Sequence, residues 1–250
     1  MAHPATFGDI VVVGGGCYGT FYAAQLERAR ARGAARYRRV LVVDRDARCK
    51  AARELAPVPD RELVTSDWAA FFDEYLARAA ARPSPADAPD AIVPSPLMPH
   101  LMYQWLVRDA RARWPGRPVE ARPLETALGT PYEVLAPDDT RYVSYADWLC
   151  PTHCIEPAVC PVIRAPRTWE LSEALAELTR RLGRERRVAG PVLFVCRHRV
   201  YGVGMFDVAS VLEGARTVAA AGAAGEPVDV VVGTVSACHG AVGLLHLGRA

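Results

Sequence analysis

Two stretches of this 250-residue chain carry residue types at spacings that do chemistry. The first is Gly14-Gly15-Gly16-Cys17-Tyr18-Gly19, a Gly-x-Gly-x-x-Gly array. Gly14 permits a tight turn, Gly16 lets a diphosphate approach the backbone without meeting a Cβ, and Gly19 allows a helix to pack closely on the preceding strand. Unpaired N–H groups at a helix start attract phosphate, which places Cys17 and Tyr18 beside such a ligand. The second stretch is Cys150-Pro151-Thr152-His153-Cys154-Ile155-Glu156-Pro157-Ala158-Val159-Cys160-Pro161. Its Cys-x3-Cys-x5-Cys spacing brings three sulfurs within reach of one centre, in a segment whose prolines forbid a long helix.

Three sulfurs need a fourth ligand, and His153, Glu156, Cys196 and Cys238 are the candidates. The set Cys150, Cys154, Cys160 and Cys196 points to a metal centre. Proline after a cysteine ligand suits an iron–sulfur cluster, and the absence of paired Cys-x2-Cys hooks argues against the usual structural zinc, although zinc stays open. Thiol redox chemistry and plain loop cysteines are the other two readings. Cys238 and His239 follow a Gly-Thr-Val-Ser-Ala run and are expected to open a last helix beside the site, as its catalytic pair.

Periodicity supplies the elements that must position these residues. Asp9–Val13 is a short apolar run, residues 20–32 have helical spacing, and Val40–Val43 is a second apolar run ending in Asp44. That is a βαβ unit whose acidic strand end accepts hydrogen bonds from a ribose diol. Asp44 favours NAD over NADP, while Arg45 and Arg48 pull the other way, and FAD stays second to NAD. Strands at 63–65 and 91–93 and helices over 68–82 and up to about Trp114 continue the alternation. The aromatics Trp68, Phe71, Phe72 and Tyr75 are expected in the core. Residues 119–124, 132–135 and 142–144 read as strands, 169–182 and 207–221 as helices, and 192–195 and 228–232 as buried strands. The expectation is an α/β fold with a doubly wound, mainly parallel sheet. A dinucleotide-binding domain would occupy 1–118, and a second half, 119–250, would carry the cysteine loop 150–161, either as its own sheet or as a continuation of the first.

The order of these residues resembles the nucleotide-binding domain of potassium-uptake and potassium-channel regulators, the TrkA-N type, over residues 9–110. The turn from Val11 to Gly19, Val42-Val43-Asp44-Arg45-Asp46, Thr65-Ser66-Asp67 before a helix and Asp90-Ala91-Ile92-Val93-Pro94 carry the resemblance. It implies NAD-dependent regulation, with Asp67 beside the adenine. The regulatory domain that follows in that family has no match here.

Composition excludes other classes. A net charge of +2 with scattered arginines gives no nucleic-acid footprint. The mean hydropathy of +0.04 fits an ordinary globular chain. Met1–Gly8 lacks the marks of a signal peptide, and glycine and polar residues break the most apolar window, 228–247. The expected setting is therefore cytoplasmic, away from membranes, with seven reduced cysteines. Gly-x-Ser-x-Gly, Walker and His-Glu-x-x-His motifs are absent, and the single lysine, Lys50, excludes a Tyr-x-x-x-Lys pair. The function expected is that of an NAD-binding oxidoreductase coupling the nicotinamide to the cysteine centre or a redox partner protein. The alternative is a non-catalytic NAD sensor with structural zinc, acting through a loop or a homodimer interface.

Overall fold

The computed structural model describes residues 3–151 and 154–250. In chain order the first elements are β1 (Ala5–Val13), α1 (Cys17–Ala31), β2 (Ala35–Asp44), α2 (Lys50–Glu54), β3 (Arg61–Thr65), α3 (Trp68–Ala81) and β4 (Ala91–Val93). Next come α4 (Leu101–Arg113), β5 (Val119–Arg122), β6 (Tyr132–Leu135), β7 (Arg141–Ser144), β8 (Val159–Cys160), β9 (Ala165–Pro166) and α5 (Leu171–Leu182). The last are β10 (Val188–Val195), β11 (Arg197–Val200), β12 (Val203–Asp207), α6 (Val208–Gly222), β13 (Val228–Val235) and β14 (His239–Leu247). This is an α/β fold with mixed, partly parallel sheets. It divides into two compact units, Met1–Met98 with Cys196–Leu212, and Pro99–Val195 with Glu213–Ala250.

The first unit holds a sheet of order β11-β12-β4-β1-β2-β3. Strands β4, β1, β2 and β3 are parallel, whereas β12 runs against β4 and β11 against β12. Residues 10–13 and 40–43 read as unbroken apolar runs because all of them are buried, as a parallel sheet covered on both faces requires. The helix expected near residues 20–32 begins three residues earlier, at Cys17, which puts the glycine array at its mouth.

The second unit is mostly antiparallel. Its sheet has the order β10-β13-β14-β7-β6, with β5 also on β14, and only β10–β13 is a parallel pair. The expectation of a mainly parallel sheet through the second half fails there, because short connections such as β6–β7 and β13–β14 can join only antiparallel neighbours. Residues 239–247 form a strand where a helix was expected. Their glycines mark close cover rather than a helix start: a Cβ on Gly240 would stand 2.7 Å from Leu171, and one on Gly243 2.9 Å from the Tyr103 ring. Among the described residues no helix is long and apolar enough to cross a membrane.

Asp9 anchors the start of the first unit's sheet. Its side chain is 3 % exposed, and it accepts from Arg38 Nε at 2.7 Å and Arg39 Nη2 at 3.0 Å. Burial alone would raise its pKa, but the hydrogen bonds and charges of the two arginines prevail and hold it below the usual 3.8. A depressed carboxylate pKa contributes stability in full above the unfolded value, and that contribution disappears as pH falls through the folded one. Replacing Asp9→Asn should therefore cost about 2–3 kcal/mol near neutrality, with the deficit closing in acid below the ordinary carboxylate range. Urea melts of both proteins over descending pH check this; a deficit that stays constant with pH would refute it.

Candidate functional site

The glycine turn of the first unit is built as the sequence suggests, with one glycine unexplained by the fold. Gly14 lies at φ +82°, and its N–H donates to Val43 O at 2.8 Å. A Cβ on Gly19 would stand 1.7 Å from the Gly14 carbonyl oxygen, and one on Gly15 2.3 Å from Cys49 Sγ. Gly16 has φ −74°, which any residue can adopt, and a Cβ there would meet nothing within 4 Å. It caps α1, whose first-turn amides receive no side-chain cap and so point outward unsatisfied by the helix itself. Cys17 and Tyr18 are exposed on that turn, and Lys50 Nζ lies 3.8 Å from Cys17 Sγ.

The acidic residues expected beside a nucleotide also brace the backbone. Asp44 Oδ2 accepts from Gly15 N at 2.6 Å, and Oδ1 from Asp46 N at 2.9 Å. Ala51 N donates to Gly15 O at 2.8 Å, which hangs the start of α2 on the same turn. Asp67 caps α3 through the amides of Ala69 and Ala70 and pairs with Arg45 at 2.6 Å. The Ala70 amide, with those of Ala69 and the Arg45 guanidinium, holds this carboxyl below its usual range. Arg45 in turn stands 4.3 Å over the Trp68 ring.

The metal centre is overturned. Among the described residues no group of three histidine, cysteine or acidic side chains is arranged to hold a metal ion, so neither an iron–sulfur cluster nor zinc stands; His153 lies outside the described residues. The physical reason is that the donors expected to converge are engaged elsewhere. Strand β11 runs parallel to β4 through two antiparallel pairings, so the Tyr201-Gly202 turn, and not Cys196, reaches the carboxyl edge of that sheet. Glu156 has both oxygens occupied, accepting from Ser236 Oγ at 2.5 Å, Ala237 N at 2.9 Å and Cys238 N at 3.2 Å. Cys154 Sγ accepts from Glu156 N at 3.4 Å. All seven cysteines are free thiols.

What the second unit does gather is a shallow pocket of about 300 Å³, open solvent included, lined among others by Trp148, Cys150, Cys154, Cys160, Arg167 and His239. His239 starts β14 at the tip of the hairpin whose turn Glu156 grips. Its Nδ1 is 2.9 Å from Ser144 Oγ and its Nε2 3.8 Å from Cys150 Sγ. Desolvation of the ring lowers the His239 pKa although the residue as a whole is exposed, with a partial rise from the Glu156 charge, a direction that favours the neutral ring. Burial raises that of Cys150, and Cys154 and Cys160 raise it further. The indole N–H of Trp148, set toward Cys150 Sγ, offsets part of this rise; neither that N–H nor Nε of Arg167 completes a well-formed hydrogen bond among the described residues.

Cys238, expected to act with His239, lines the same pocket. It accepts from Trp169 Nε1 at 3.3 Å, and burial pushes its pKa up to about 12, so it stays a protonated thiol. The histidine's neighbour in space is Cys150. Sequence reasoning missed Ser144, Trp148 and Arg167, which carry no motif; the pairing of β14 with β7 alone brings Ser144 opposite His239.

A family model described as "AF_1314_C: Uncharacterized protein, C-terminal domain" matches residues 102–248, more than half of the chain. No curated protein and no solved structure matches.

Replacing Glu156→Ala should strand the amides of Ala237 and Cys238 and cost about 1–3 kcal/mol, while making Cys238 label faster with a thiol reagent. Denaturant melts and quantified alkylation of the Cys238 peptide read both effects, and unchanged labelling would show that the carboxylate does not hold this turn.

Proposed function

The chain belongs to the family of that C-terminal domain, and for a protein so placed we propose that the first unit binds a dinucleotide, its diphosphate seated on the amides from Gly16 to Tyr18. Gly16 carries the reading. Gly14, Gly15 and Gly19 are each required by a turn or a close neighbour, whereas neither conformation nor packing asks for glycine at 16. A ligand that must come closer than a Cβ allows does ask for it.

The strand order supports the same reading. The sequence β3-β2-β1-β4, all parallel, is the order of half a doubly wound sheet, in which ligands lie outside the strand carboxyl ends where the order reverses. Asp44 ends β2 and suits a ribose diol, and Asp67 ends the connection after β3, on the adenine side that the TrkA-N resemblance implies. Arg45 is engaged by Asp67 and the Trp68 ring, which leaves it poorly placed to attract a 2′-phosphate and favours NAD over NADP. Bound there, a nicotinamide dinucleotide would supply hydride chemistry.

A sensing role is favoured by one further feature. A ribose hydroxyl on Asp44 would share the carboxylate that already accepts from Gly15 N and Asp46 N, and the segment from Asp46 to Leu55 hangs on these contacts. Occupancy of the turn is thus coupled to the order of that segment.

Calorimetric titration with NAD+, NADH, NADP+ and FAD should show NAD(H) binding that Gly16→Val abolishes while its melting temperature stays at the wild-type value. Wild-type protein that binds none of the four, or a Gly16→Val protein that binds as before, would refute the reading. Hydrogen exchange over residues 46–55 should change on NAD addition if the segment responds; unchanged exchange in a binding-competent protein removes the sensing role alone.

A further inference from the structure

The pocket of the second unit has a use that does not depend on the nucleotide reading. The hydroxyl of Ser144 donates its single hydrogen to Ala146 O at 2.8 Å and accepts from Ala146 N at 2.9 Å. Its contact of 2.9 Å with His239 Nδ1 therefore has the imidazole as donor. That fixes the tautomer: Nδ1 carries the hydrogen, and Nε2 presents a lone pair toward Cys150 Sγ at 3.8 Å. A thiol, a base within reach and a third group orienting the base form the arrangement of an activated nucleophile, whose distances are commonly long before substrate arrives.

Two further features suit a carbonyl substrate. Trp148 and Arg167 both line this pocket, and Nε1 of the first, set toward Cys150 Sγ, and Nε of the second are buried without a well-formed hydrogen bond among the described residues. Buried donors left unpaired are costly unless a ligand satisfies them. Both are donors, so the missing partner is an oxygen. Beside a nucleophile, donors of this kind stabilise an oxygen on which negative charge develops. The space is small and its walls include Ala146, Pro157 and Pro161, which fits a short acyl group.

We propose that Cys150 is a nucleophile toward small activated acyl donors, esters or thioesters, with His239 as its base and Ser144 as the residue that positions that base. The Cys150 proton passes to His239 Nε2 as the sulfur attacks the carbonyl carbon, and the oxyanion formed takes hydrogen bonds from Trp148 and Arg167. Collapse breaks the bond to the leaving alkoxide or thiolate, which takes the proton back from His239, and an acyl-Cys150 thioester remains. Water, deprotonated by His239, then attacks that thioester and releases the carboxylic acid, restoring the Cys150 thiol. The charge of Glu156, which favours protonated His239, supports the two transfers onto its ring, from Cys150 and from water.

The test uses p-nitrophenyl acetate on the full chain, with release of p-nitrophenol and mass analysis of every cysteine peptide. Acetylation should fall on Cys150 ahead of the exposed Cys17. Cys150→Ser should abolish that adduct, and His239→Gln should slow it about a hundredfold or more. Ser144→Ala, which leaves the histidine and frees its tautomer, should slow acetylation of Cys150 while iodoacetamide labelling of Cys17 stays unchanged. It serves as the readout if His239→Gln fails to fold. Preferential labelling of Cys17 or Cys154, or a Cys150 rate indifferent to both the His239 and Ser144 substitutions, would overturn the proposal. None of these outcomes depends on nucleotide binding.

Discussion

A carboxylate set on the backbone amides of a turn is the interaction on which both units depend. In the first, Asp44 holds Gly15 and Asp46; in the second, Glu156 holds Ala237 and Cys238. Each of these turns would otherwise leave backbone donors pointing at nothing, and a buried or half-buried amide without an acceptor costs more than a made hydrogen bond contributes. Each carboxylate also lies far along the chain from the turn it steadies, so the bond closes a long loop. The candidate chemistry sits next to these turns because they are where irregular backbone is kept in one shape.

The two turns differ in what they leave over. At the glycine turn the candidate functional group is the backbone: α1 starts without a side-chain cap, and a Cβ on Gly16 would meet nothing within 4 Å. At the β13–β14 turn Glu156 already occupies the amides, and the functional groups are the side chains displayed next to it. A neutral His239 with a fixed tautomer and a neighbouring protonated thiol is an arrangement for moving a proton. The same contacts explain why a metal is a poor occupant. The lone pairs of Glu156 and Cys154 already accept from the protein, and those of Cys238 accept from Trp169.

Much of the first unit was legible because its signals are local. The runs ending at Val13 and Val43 are apolar throughout since both faces of those strands are covered, and the glycine array announces the turn between strand and helix. The second unit was legible as separate elements and misread as an assembly. The run before His239-Gly240 suggests the opening of a last helix, whereas residues 239–247 are a strand and the smallness of Gly240 and Gly243 answers to Leu171 and Tyr103 pressing on it. Three cysteines within eleven residues suggested convergence on a metal, yet spacing constrains only how far apart sulfurs can be, not where their lone pairs point.

By itself the sequence determined the alternation of strands and helices, the glycine turn with its acidic strand end, and the concentration of thiols in one proline-rich segment. These follow from side-chain periodicity and from the backbone freedom of particular residue types, which act over a few neighbours. Only the tertiary structure decided that the second sheet is largely antiparallel, that His239 faces Cys150 and leaves Cys238 to Trp169, and that Ser144 sets its tautomer. Those outcomes depend on which strands become neighbours and in what register. Register is fixed by contacts between residues about a hundred positions apart, such as Ser144 with His239, and no local pattern records them.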